Sequence, residues 1–481
     1  NKDIKCFEAC RELHHSMLDG MEYPAAKAVL NFLDKWEPQK AEENNLVAQY
    51  AKEILSGANM VFRFNGGYVH DDPQLASVWQ KANAKQKDNI GQCLVTGALD
   101  EIQKTHPTIK GVQGAQSSGA ALVSFNASAF CSYNKEQNQN APVGKYAAFA
   151  YTTALNHLLA DRKNVHRIGD AAVVCWAENA DKQYEDFAAE VFFGDNVDKS
   201  DEQRLSALRT SLKLLADGLP CKEMDLDPDR KFYILGLSPN AARLAVRFFY
   251  CDSFGKIAGN IYKHHERLEI VRPSYDKFPI LPLWKLLSAT VNPNAKDKTP
   301  NAAMAGAVAR AVFSGGRYPA SLLECTFLRI KAERNITRER AAIIKAYYLR
   351  NPNEKCPKEV LTVSLNENSK NIPYTLGRLF SVYEEIQQAA NPGINTTIKD
   401  RYFGSAAAMP ATVFPILSNL AQKHLRKLSD AQRVYLDKKV MTLKSVLGEQ
   451  YPAHMSLPEQ GSFDLGYYHQ TQARYTKKED K

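Results

Sequence analysis

The sequence contains no run of about 18 apolar residues, so no membrane-spanning helix is predicted. Its nine cysteines are scattered and odd in number, which disfavours a disulfide framework and favours a reducing compartment. The start at Asn1 shows neither an initiator methionine nor a signal-peptide pattern. We therefore expect a cytoplasmic protein, and we expect its true N-terminus to lie upstream of Asn1.

Motifs of several enzyme classes are also missing. Gly255-Lys256 lacks the upstream glycine and the following Ser or Thr of a phosphate-binding loop, and Ser117-Ser118 lacks the flanking glycines of a nucleophile elbow. Cys6 and Cys10 have no second ligand pair at metal-site spacing, which favours a position in the core. His264-His265-Glu266 is not a zinc-binding His-Glu-x-x-His motif and indicates a solvated helix end. The sequence thus predicts no catalytic residues, no metal and no cofactor.

One pair leaves an enzymatic alternative open. His70-Asp71 is typical of a surface hydrogen-bonding pair, but it could also belong to the metal centre of a nuclease. Such a centre needs further His and Asp ligands from neighbouring elements. A metal-dependent nuclease therefore stays as an alternative hypothesis.

What the sequence does have is a folded composition with an excess of cations. Hydrophobic residues make up 44% and charged residues 24% of the 481 residues, and the formal net charge is +9. The length allows roughly two to four domains. The positive charge favours a polyanionic partner such as nucleic acid.

The apolar pattern predicts an α+β fold: a mixed α/β N-terminal body with β-hairpins, followed by a C-terminal α-helical bundle. A hairpin is expected around Gly66-Gly67, between residues 60–65 and 68–70. Further strands are predicted at residues 93–96, 121–125, 171–176, 232–237, 245–251 and 360–365. Helices are predicted at residues 4–33 with a break at Pro24, 147–159, 201–215, 302–313, 321–333, 338–349, 374–389, 406–426 and 430–447, and one beginning at 283.

Composition also suggests domain boundaries. Residues 351–370 hold Pro352, Pro357 and several asparagines, which is typical of a linker. We predict an α+β body over residues 1–350, this linker, and a helical bundle over residues 371–481.

The most unusual segment is residues 109–140, which is crowded with small and amide side chains. Its glycines permit tight turns, and its uncharged donors and acceptors suit hydrogen bonding to base edges. A polar loop that caps the next strand is the structural alternative, and composition does not choose between the two. The predicted motif-reading residues are Gln113, Gln116, Ser117, Ser118, Asn126 and Asn140, with Lys110 on the DNA backbone.

At this segment the sequence resembles a known family, the large subunit of the type I-C CRISPR Cascade surveillance complex. The resemblance covers nearly the whole chain. Its motifs are CLVTG (93–97), IKGVQGAQSSGAALVSFN (109–126), NAPVGKYAAFAYTTALNHLL (140–159), YILGLSPNAARLAVRFF (233–249), YPASLLECTFLRIKAERNITRERAAIIKAYYLRN (318–351), YTLGRLFSVYEEIQ (374–387), KDRYFGSAAAMPATVFPIL (399–417) and GYYHQTQ (466–472).

The resemblance implies a non-catalytic subunit of an RNA-guided effector. Such a subunit recognises the protospacer-adjacent motif in duplex DNA, promotes strand opening into an R-loop, stabilises displaced DNA and recruits a helicase-nuclease. The expected partners are the double-stranded DNA target and its displaced strand, the CRISPR RNA, and the backbone, handle-binding and small subunits of the complex, with no membrane. Family members usually carry a further N-terminal segment, which could hold part of the DNA-contacting surface.

The resemblance also implies that the C-terminal bundle is a fused counterpart of the small subunits. The same gene yields a separate small subunit in this family, and we would place its start near residues 360–363. Cations recur along the predicted helices, as a groove that tracks phosphates requires, although a solvated helix face is the alternative. These cations are Lys399, Arg401, Lys423, Arg426, Lys427, Arg433, Lys438, Lys439 and Lys444.

Aromatic residues in this half have two possible uses. Tyr318, Tyr347, Tyr348 and Tyr402 could stack on exposed bases or lie in the core. Tyr467-Tyr468-His469-Gln470 could dock on a neighbouring subunit. A purely architectural subunit without direct DNA contact is a third hypothesis beside DNA recognition and the nuclease.

Overall fold

The computed structural model describes residues 2–55, 60–83, 89–194, 202–276, 278–448 and 450–475. The chain forms two compact units. Unit 1 comprises Asn1–Lys104 and Ala129–Ala148, and unit 2 comprises Thr105–Ser128 and Phe149–Lys481.

Unit 1 is built from short helices and two small hairpins. Its elements are α1 (Lys2–Leu18), α2 (Pro24–Lys35), α3 (Asn45–Gln49), α4 (Ala51–Leu55), β1 (Arg63–Phe64), β2 (Gly67–Tyr68), α5 (Pro73–Asn83), β3 (Ile90–Gln92) and β4 (Leu99–Glu101). Pro24 opens α2 at a position where its missing N–H costs nothing. The buried faces of α1, α2 and α5 meet in a small core around Leu18, Val29 and Leu75.

Helix α6 (Lys145–Ala160) begins in unit 1 and continues into unit 2. The strands of unit 2 are β5 (His166–Ile168), β6 (Ala171–Ala177), β7 (Lys231–Asn240) and β8 (Arg243–Ser253). Its helices are α7 (Lys182–Ala188), α8 (Glu202–Ala216), α9 (Phe254–Leu268), α10 (Leu283–Ser288), α11 (Ala302–Ser314), α12 (Ala320–Glu333), α13 (Arg338–Arg350), α14 (Ile372–Ala390), α15 (Ile398–Ala408), α16 (Pro410–Leu425), α17 (Asp430–Lys444) and α18 (Leu457–Ala473). Short helical turns lie at Pro38–Glu43, Val69–Asp71, Ser128–Phe130, Gln137–Asn140, Glu178–Ala180, Ala189–Phe193, Lys222–Met224 and Lys358–Val360.

The four strands of unit 2 form one antiparallel sheet in the order β5-β6-β7-β8. Because side chains alternate along a strand, the sheet has two differently covered faces. Val173 and Ile234 face the large core, which continues into the C-terminal helices. Val174 and Leu235 face a smaller core formed with α6 and residues 109–122. This second face positions the polar segment singled out in the sequence.

The α+β fold class is confirmed, with small antiparallel sheets and a helical C-terminal region. The strands predicted at residues 171–176, 232–237 and 245–251 are β6, β7 and β8. The predicted first hairpin is also present, but its turn is Asn65-Gly66, since Phe64 pairs with Gly67. Both turn residues have positive φ, as a two-residue hairpin favours.

Three predicted strands are wrong. Residues 93–96 form the turn after β3, where the Gly97 N–H donates to the Cys93 carbonyl. Residues 121–125 contribute one bridge, Ala121 to Arg243, and are otherwise irregular. Residues 360–365 follow a single helical turn at Lys358–Val360, and no strand forms there. Short apolar runs near turns match strand periodicity by chance, and neighbouring strands must be available to pair with them.

Two further predictions need correction. The helix predicted over residues 406–426 is divided into α15 and α16 at Met409, because Pro410 starts a new helix and cannot continue the previous one. Cys6 and Cys10 are exposed instead of lying in the core.

Residues 351–370 pack against the rest of unit 2. Cys356, Val360 and Leu361 are buried, and the Val271 N–H donates to the Val363 carbonyl at 2.7 Å. Their linker-like composition reflects turns and caps along an ordered segment. The division into a body and a bundle at this segment stays a prediction.

Candidate nucleic-acid interface

The polar loop, defined as residues 109–120, is closed by a pair of backbone hydrogen bonds. Ile109 and Ala120 exchange both N–H to carbonyl bonds at 2.9 Å. Two backbone hydrogen bonds close turns within the loop: the Ala115 N–H donates to the Val112 carbonyl, and the Gly119 N–H donates to the Gln116 carbonyl. The loop therefore has a defined backbone shape.

Apolar side chains fasten this loop to the sheet. Ile109, Val112 and Ala120 are buried and join Leu155 and Leu159 of α6 in the smaller core of unit 2. The side chain of Asn156 in α6 adds two hydrogen bonds to the loop backbone. Its Oδ1 accepts from the Lys110 N–H at 2.8 Å, and its Nδ2 donates to the Thr108 carbonyl at 3.1 Å. Burial of this inner face leaves the polar side chains to point outward.

Gly119 shows why a small residue is needed at the base of the loop. Its φ is +99°, and a Cβ atom there would lie 2.8 Å from the Cβ and Oγ1 atoms of Thr108. Any L side chain at this position is therefore strained and crowded. The Thr108 hydroxyl uses the resulting close approach to donate to the Ser118 carbonyl at 3.1 Å.

The outer face of the loop is polar and exposed. Gln113, Gln116, Ser117 and Ser118 are exposed, and so is Lys110. In the described part of the chain, the side chains of Gln116, Ser117 and Ser118 have no hydrogen-bonding partner. Their donors and acceptors are thus presented on a rigid backbone without local competition.

Two arginines that sequence reasoning missed stand beside these amides. Arg167 of β5 donates from Nη1 to the Gln113 Oε1 at 3.0 Å, and from Nε to the Gly169 carbonyl at 3.1 Å. Arg243, at the start of β8, donates from Nη2 to the Asn126 Oδ1. They lie 54 and 117 residues from their partners, so no local pattern could have indicated them. They add positive charge to an amide-lined surface.

A neutral pair lies close to the loop in the chain. The His106 Nδ1 is 2.6 Å from the Tyr151 hydroxyl of α6. Burial lowers the pKa of His106 and raises the pKa of Tyr151 to about 12. The pair therefore adds no charge beside Lys110, Arg167 and Arg243 at neutral pH.

Asn140, predicted to read the motif, lies in unit 1 and has a local structural role. Its Oδ1 accepts from the Ser132 N–H at 2.9 Å, and its Nδ2 donates to the carbonyls of Lys135 and Gln137 at 3.0 and 2.9 Å. The amide of Asn140 is fully engaged in these hydrogen bonds, so Asn140 stabilises its own loop and is not part of the polar loop.

The predicted phosphate-binding cations of the C-terminal helices fall into two groups. Arg401, Lys423, Arg426 and Lys438 are exposed. Lys399 differs from them, because its ammonium packs 5.6 Å from the centre of the Tyr467 ring and bonds to Asn335 at 3.4 Å. Burial lowers the pKa of Lys399, against the opposing effect of Glu384 and Asp400.

Other cations of this set have partners within unit 2. Lys439 lies 3.5 Å from Glu385 and above the Tyr435 ring, and Lys427 is 3.5 Å from the Asn391 Oδ1. Arg433 pairs with Asp430 at 2.7 Å, and Lys444 donates to the Ser418 hydroxyl at 2.8 Å. These contacts leave Lys423, Arg426 and Lys438 as the better candidates for phosphate contacts. Arg401 is exposed, but its guanidinium lies 5.3 Å from the centre of the Tyr402 ring.

Most of the tyrosine and histidine side chains considered for base stacking, subunit docking or a solvated helix end are buried in the core. Tyr318 and Tyr348 are buried, while Tyr347 and Tyr402 are half-buried. The tail prediction was wrong, since the side chains at positions 467–470 are all buried inside unit 2. The predicted solvated end at His264 was also wrong: its side chain is buried and its Nδ1 lies 2.6 Å from the Tyr318 hydroxyl.

His70 and Asp71 form an exposed pair, with Nε2 and Oδ1 3.5 Å apart. Among the described residues, no three His, Cys, Asp or Glu side chains converge as a metal-binding group. In the same residues, no helix is both long and apolar enough to cross a membrane.

The fold and this surface define an α+β protein with a helical C-terminal region, whose most elaborate exposed feature is a rigid amide-rich loop flanked by arginines. The model of the family described as CRISPR-associated protein (Cas_Csd1) matches residues 1–475. The chain belongs to this family, which confirms the resemblance seen in its motifs. A search of curated proteins gave no match.

Proposed function

We propose that this chain is the large subunit of a type I-C Cascade complex and that its polar loop reads the protospacer-adjacent motif. The observation that carries the proposal is the loop itself: Gln113, Gln116, Ser117 and Ser118 are exposed on a backbone fixed by buried Ile109 and Ala120. Uncharged amides and hydroxyls on a rigid frame suit hydrogen bonding to base edges. Membership in a CRISPR-associated family supports a polynucleotide target.

The arginines beside the loop favour a polyanion over a neutral partner. Arg167 holds the Gln113 oxygen, so the amide nitrogen of Gln113 is left to donate outward to a base acceptor. Lys110 and Arg243 would lie near the sugar-phosphate backbone of a duplex docked on this surface. Phosphate contacts position the duplex, and base contacts select its sequence.

The remaining parts of the proposal rest on family membership. In it the chain contacts the CRISPR RNA and the backbone, handle-binding and small subunits, helps to open the target into an R-loop, and recruits the helicase-nuclease that cuts. Residues 371–481 serve as the counterpart of a small subunit, and the exposed Arg401, Lys423, Arg426 and Lys438 track the displaced strand. The chain itself is non-catalytic.

The test replaces Gln113, Gln116, Ser117 and Ser118 with alanine in the assembled complex. Binding to a target with the correct motif should fall about tenfold or more, and binding to a target with a mutated motif should change little. Gln203→Ala with Ser206→Ala is the matched control, since both residues are exposed on α8. Equal losses on both targets would favour a purely architectural subunit.

The nuclease alternative has a separate test. The purified chain is incubated with DNA and Mg²⁺ or Mn²⁺, beside His70→Ala and Asp71→Ala. We expect no cleavage by any of the three. Metal-dependent cleavage that is lost in His70→Ala would replace the proposal with a nuclease.

A further inference from the structure

Three aromatic rings form a parallel series across the sheet of unit 2. The centres of the Trp176 and Tyr233 rings lie 5.3 Å apart with 9° between their planes, and those of Tyr233 and Phe249 lie 6.4 Å apart with 27° between planes. They come from β6, β7 and β8 in turn. We call Trp176, Tyr233 and Phe249 the aromatic ladder.

The ladder lies on the same sheet face as the polar loop. Tyr233 is two residues from Leu235 along β7, and Trp176 is two residues from Val174 along β6, so these pairs share a face. Val174 and Leu235 belong to the core that the polar loop covers. Trp176 itself packs against this core, so the ladder extends the sheet face from its covered part.

The ring at the sheet edge is the exposed one. Trp176 and Tyr233 are half-buried, whereas Phe249 is 56% exposed on β8, the last strand of this sheet. Lys231 is exposed two residues before Tyr233 and so on the same face. The exposed phenyl ring at the end of the stack leaves a flat apolar surface at the sheet edge, and Lys231 lies farther along the same face, beyond Tyr233.

Stacked, parallel rings select for one kind of partner chemistry. Nucleobases are flat and can extend such a stack, and base–aromatic stacking tolerates any sequence because every base has a π-face. Bases inside a duplex are already covered on both faces by their neighbours. An apolar protein segment would not need parallel rings. The arrangement thus favours unpaired bases, and Lys231 suits their phosphates.

We propose that the aromatic ladder binds unpaired bases of single-stranded DNA next to the polar loop. This deepens the proposed function and rests on it for the source of the strand, which is the duplex opened beside the motif. Stacking on the ladder would favour strand opening by holding bases that have left the duplex.

The test measures binding of fluorescently labelled oligothymidylate to the purified full chain by anisotropy. An abasic strand of the same length and a duplex serve as comparison probes. We expect oligothymidylate to bind more tightly than the abasic strand, and Phe249→Leu to weaken that binding about tenfold while leaving the abasic strand unaffected. Phe249→Tyr should retain binding. Val246→Ala, an exposed apolar position on the same strand, is the matched control.

A second measurement uses the intrinsic fluorescence of Trp176. Oligothymidylate should quench part of the tryptophan emission, and this part should be missing in Trp176→Phe. Equal affinity for the abasic and base-bearing strands, or no effect of Phe249→Leu, would overturn the proposal. A change in Trp176 emission on assembly with the other subunits without DNA would show a protein partner there and would also overturn it.

The two proposals fail in different ways. If the polar loop reads no motif, its alanine variants lose no discrimination between targets, while the effect of Phe249→Leu on oligothymidylate persists. If the ladder does not stack bases, Phe249→Leu leaves single-strand binding unchanged, and the motif discrimination of the loop is unaffected.

Discussion

Gly377 of α14 and Gly466 of α18 bring two helix backbones into direct contact. A Cβ atom on Gly377 would overlap the carbonyl oxygen of Phe463, and one on Gly466 would overlap that of Tyr374. The two helices therefore approach more closely than side chains normally permit. This contact holds Tyr467, Tyr468 and His469 of α18 in the core of unit 2.

Gly466→Ala should destabilise unit 2 by about 1–3 kcal/mol, because the added methyl group must push α18 away from α14. Denaturant unfolding monitored by circular dichroism measures the change. Gly404→Ala is the control, since Gly404 lies inside α15 with no heavy atom near its missing Cβ. It should stabilise the helix by about 0.5–1 kcal/mol. Equal stability of the two variants would contradict the backbone contact.

The same contact explains what sequence reasoning could and could not find. Apolar patterning was enough to predict β6, β7, β8 and most of the helices. The strands β6 and β7 are buried on both faces and form nearly continuous apolar runs, whereas a buried face recurs at helical spacing along the helices. The burial of residues 467–470 depends on α14, which lies about 90 residues earlier in the chain. Its contact with α18 includes the glycine pair and side-chain hydrogen bonds such as those of Tyr374 with His469 and of Arg378 with Gln470. The local sequence around a tyrosine therefore does not show whether its side chain is exposed or is buried against a distant helix.

The candidate site shows the same limit. The polar loop was predictable from its composition, since glycine, serine and glutamine crowd one short segment. Its arginine partners were not, because Arg167 and Arg243 reach it through the sheet. Asn140 was grouped with the loop by sequence proximity alone, and its hydrogen bonds place it in a different local structure.

Gly119→Ala should impair motif recognition more than it impairs folding. Its positive φ and its contact with Thr108 mean that the loop must rearrange to accept a methyl group, so binding to the correct target should fall several-fold. Gly448→Ala is the matched control, because Gly448 also has positive φ but no heavy atom near its missing Cβ. It should share the backbone strain without loss of motif discrimination. Equal binding by the two variants would mean that loop shape is unimportant.

The exposed C-terminal cations predict a salt effect. Replacing Lys423, Arg426 or Lys438 with glutamine should lower the slope of log Kd against log salt by about 0.7 for each lost phosphate contact on a single strand, whatever its sequence. Titrations of DNA binding between low and moderate salt measure the slope. Lys399→Gln is the comparison, because Lys399 packs on Tyr467 and should affect stability without changing the slope. A lower slope for Lys399→Gln alone would reverse the assignment.

His469 predicts a pH dependence of stability. Burial, with a smaller effect of Lys345, lowers the pKa of His469 to about 3, well below its ordinary value of 6.5. The ring is neutral in the folded chain, with Nδ1 2.9 Å from the Tyr374 hydroxyl. Below pH 6.5 the unfolded chain binds a proton that the folded chain excludes. The stability from this neutral ring is therefore complete above pH 6.5 and is lost as the pH falls toward 3, by up to about 1.4 kcal/mol per pH unit.

His469→Gln removes this titrating group and should flatten the dependence of stability on pH below pH 6.5. At pH 7 the variant should be less stable than the parent chain by about 1–3 kcal/mol, since the buried hydrogen bond to Tyr374 is disturbed. The difference should shrink as the pH is lowered from 6.5 to 5, because only the parent chain loses the contribution of His469. His454→Gln, at an exposed position, should leave the profile of the parent chain unchanged. Urea unfolding at pH 7, 6 and 5 measures all three proteins, and a stability difference that stays constant over this range would mean that His469 titrates alike in the folded and unfolded chain.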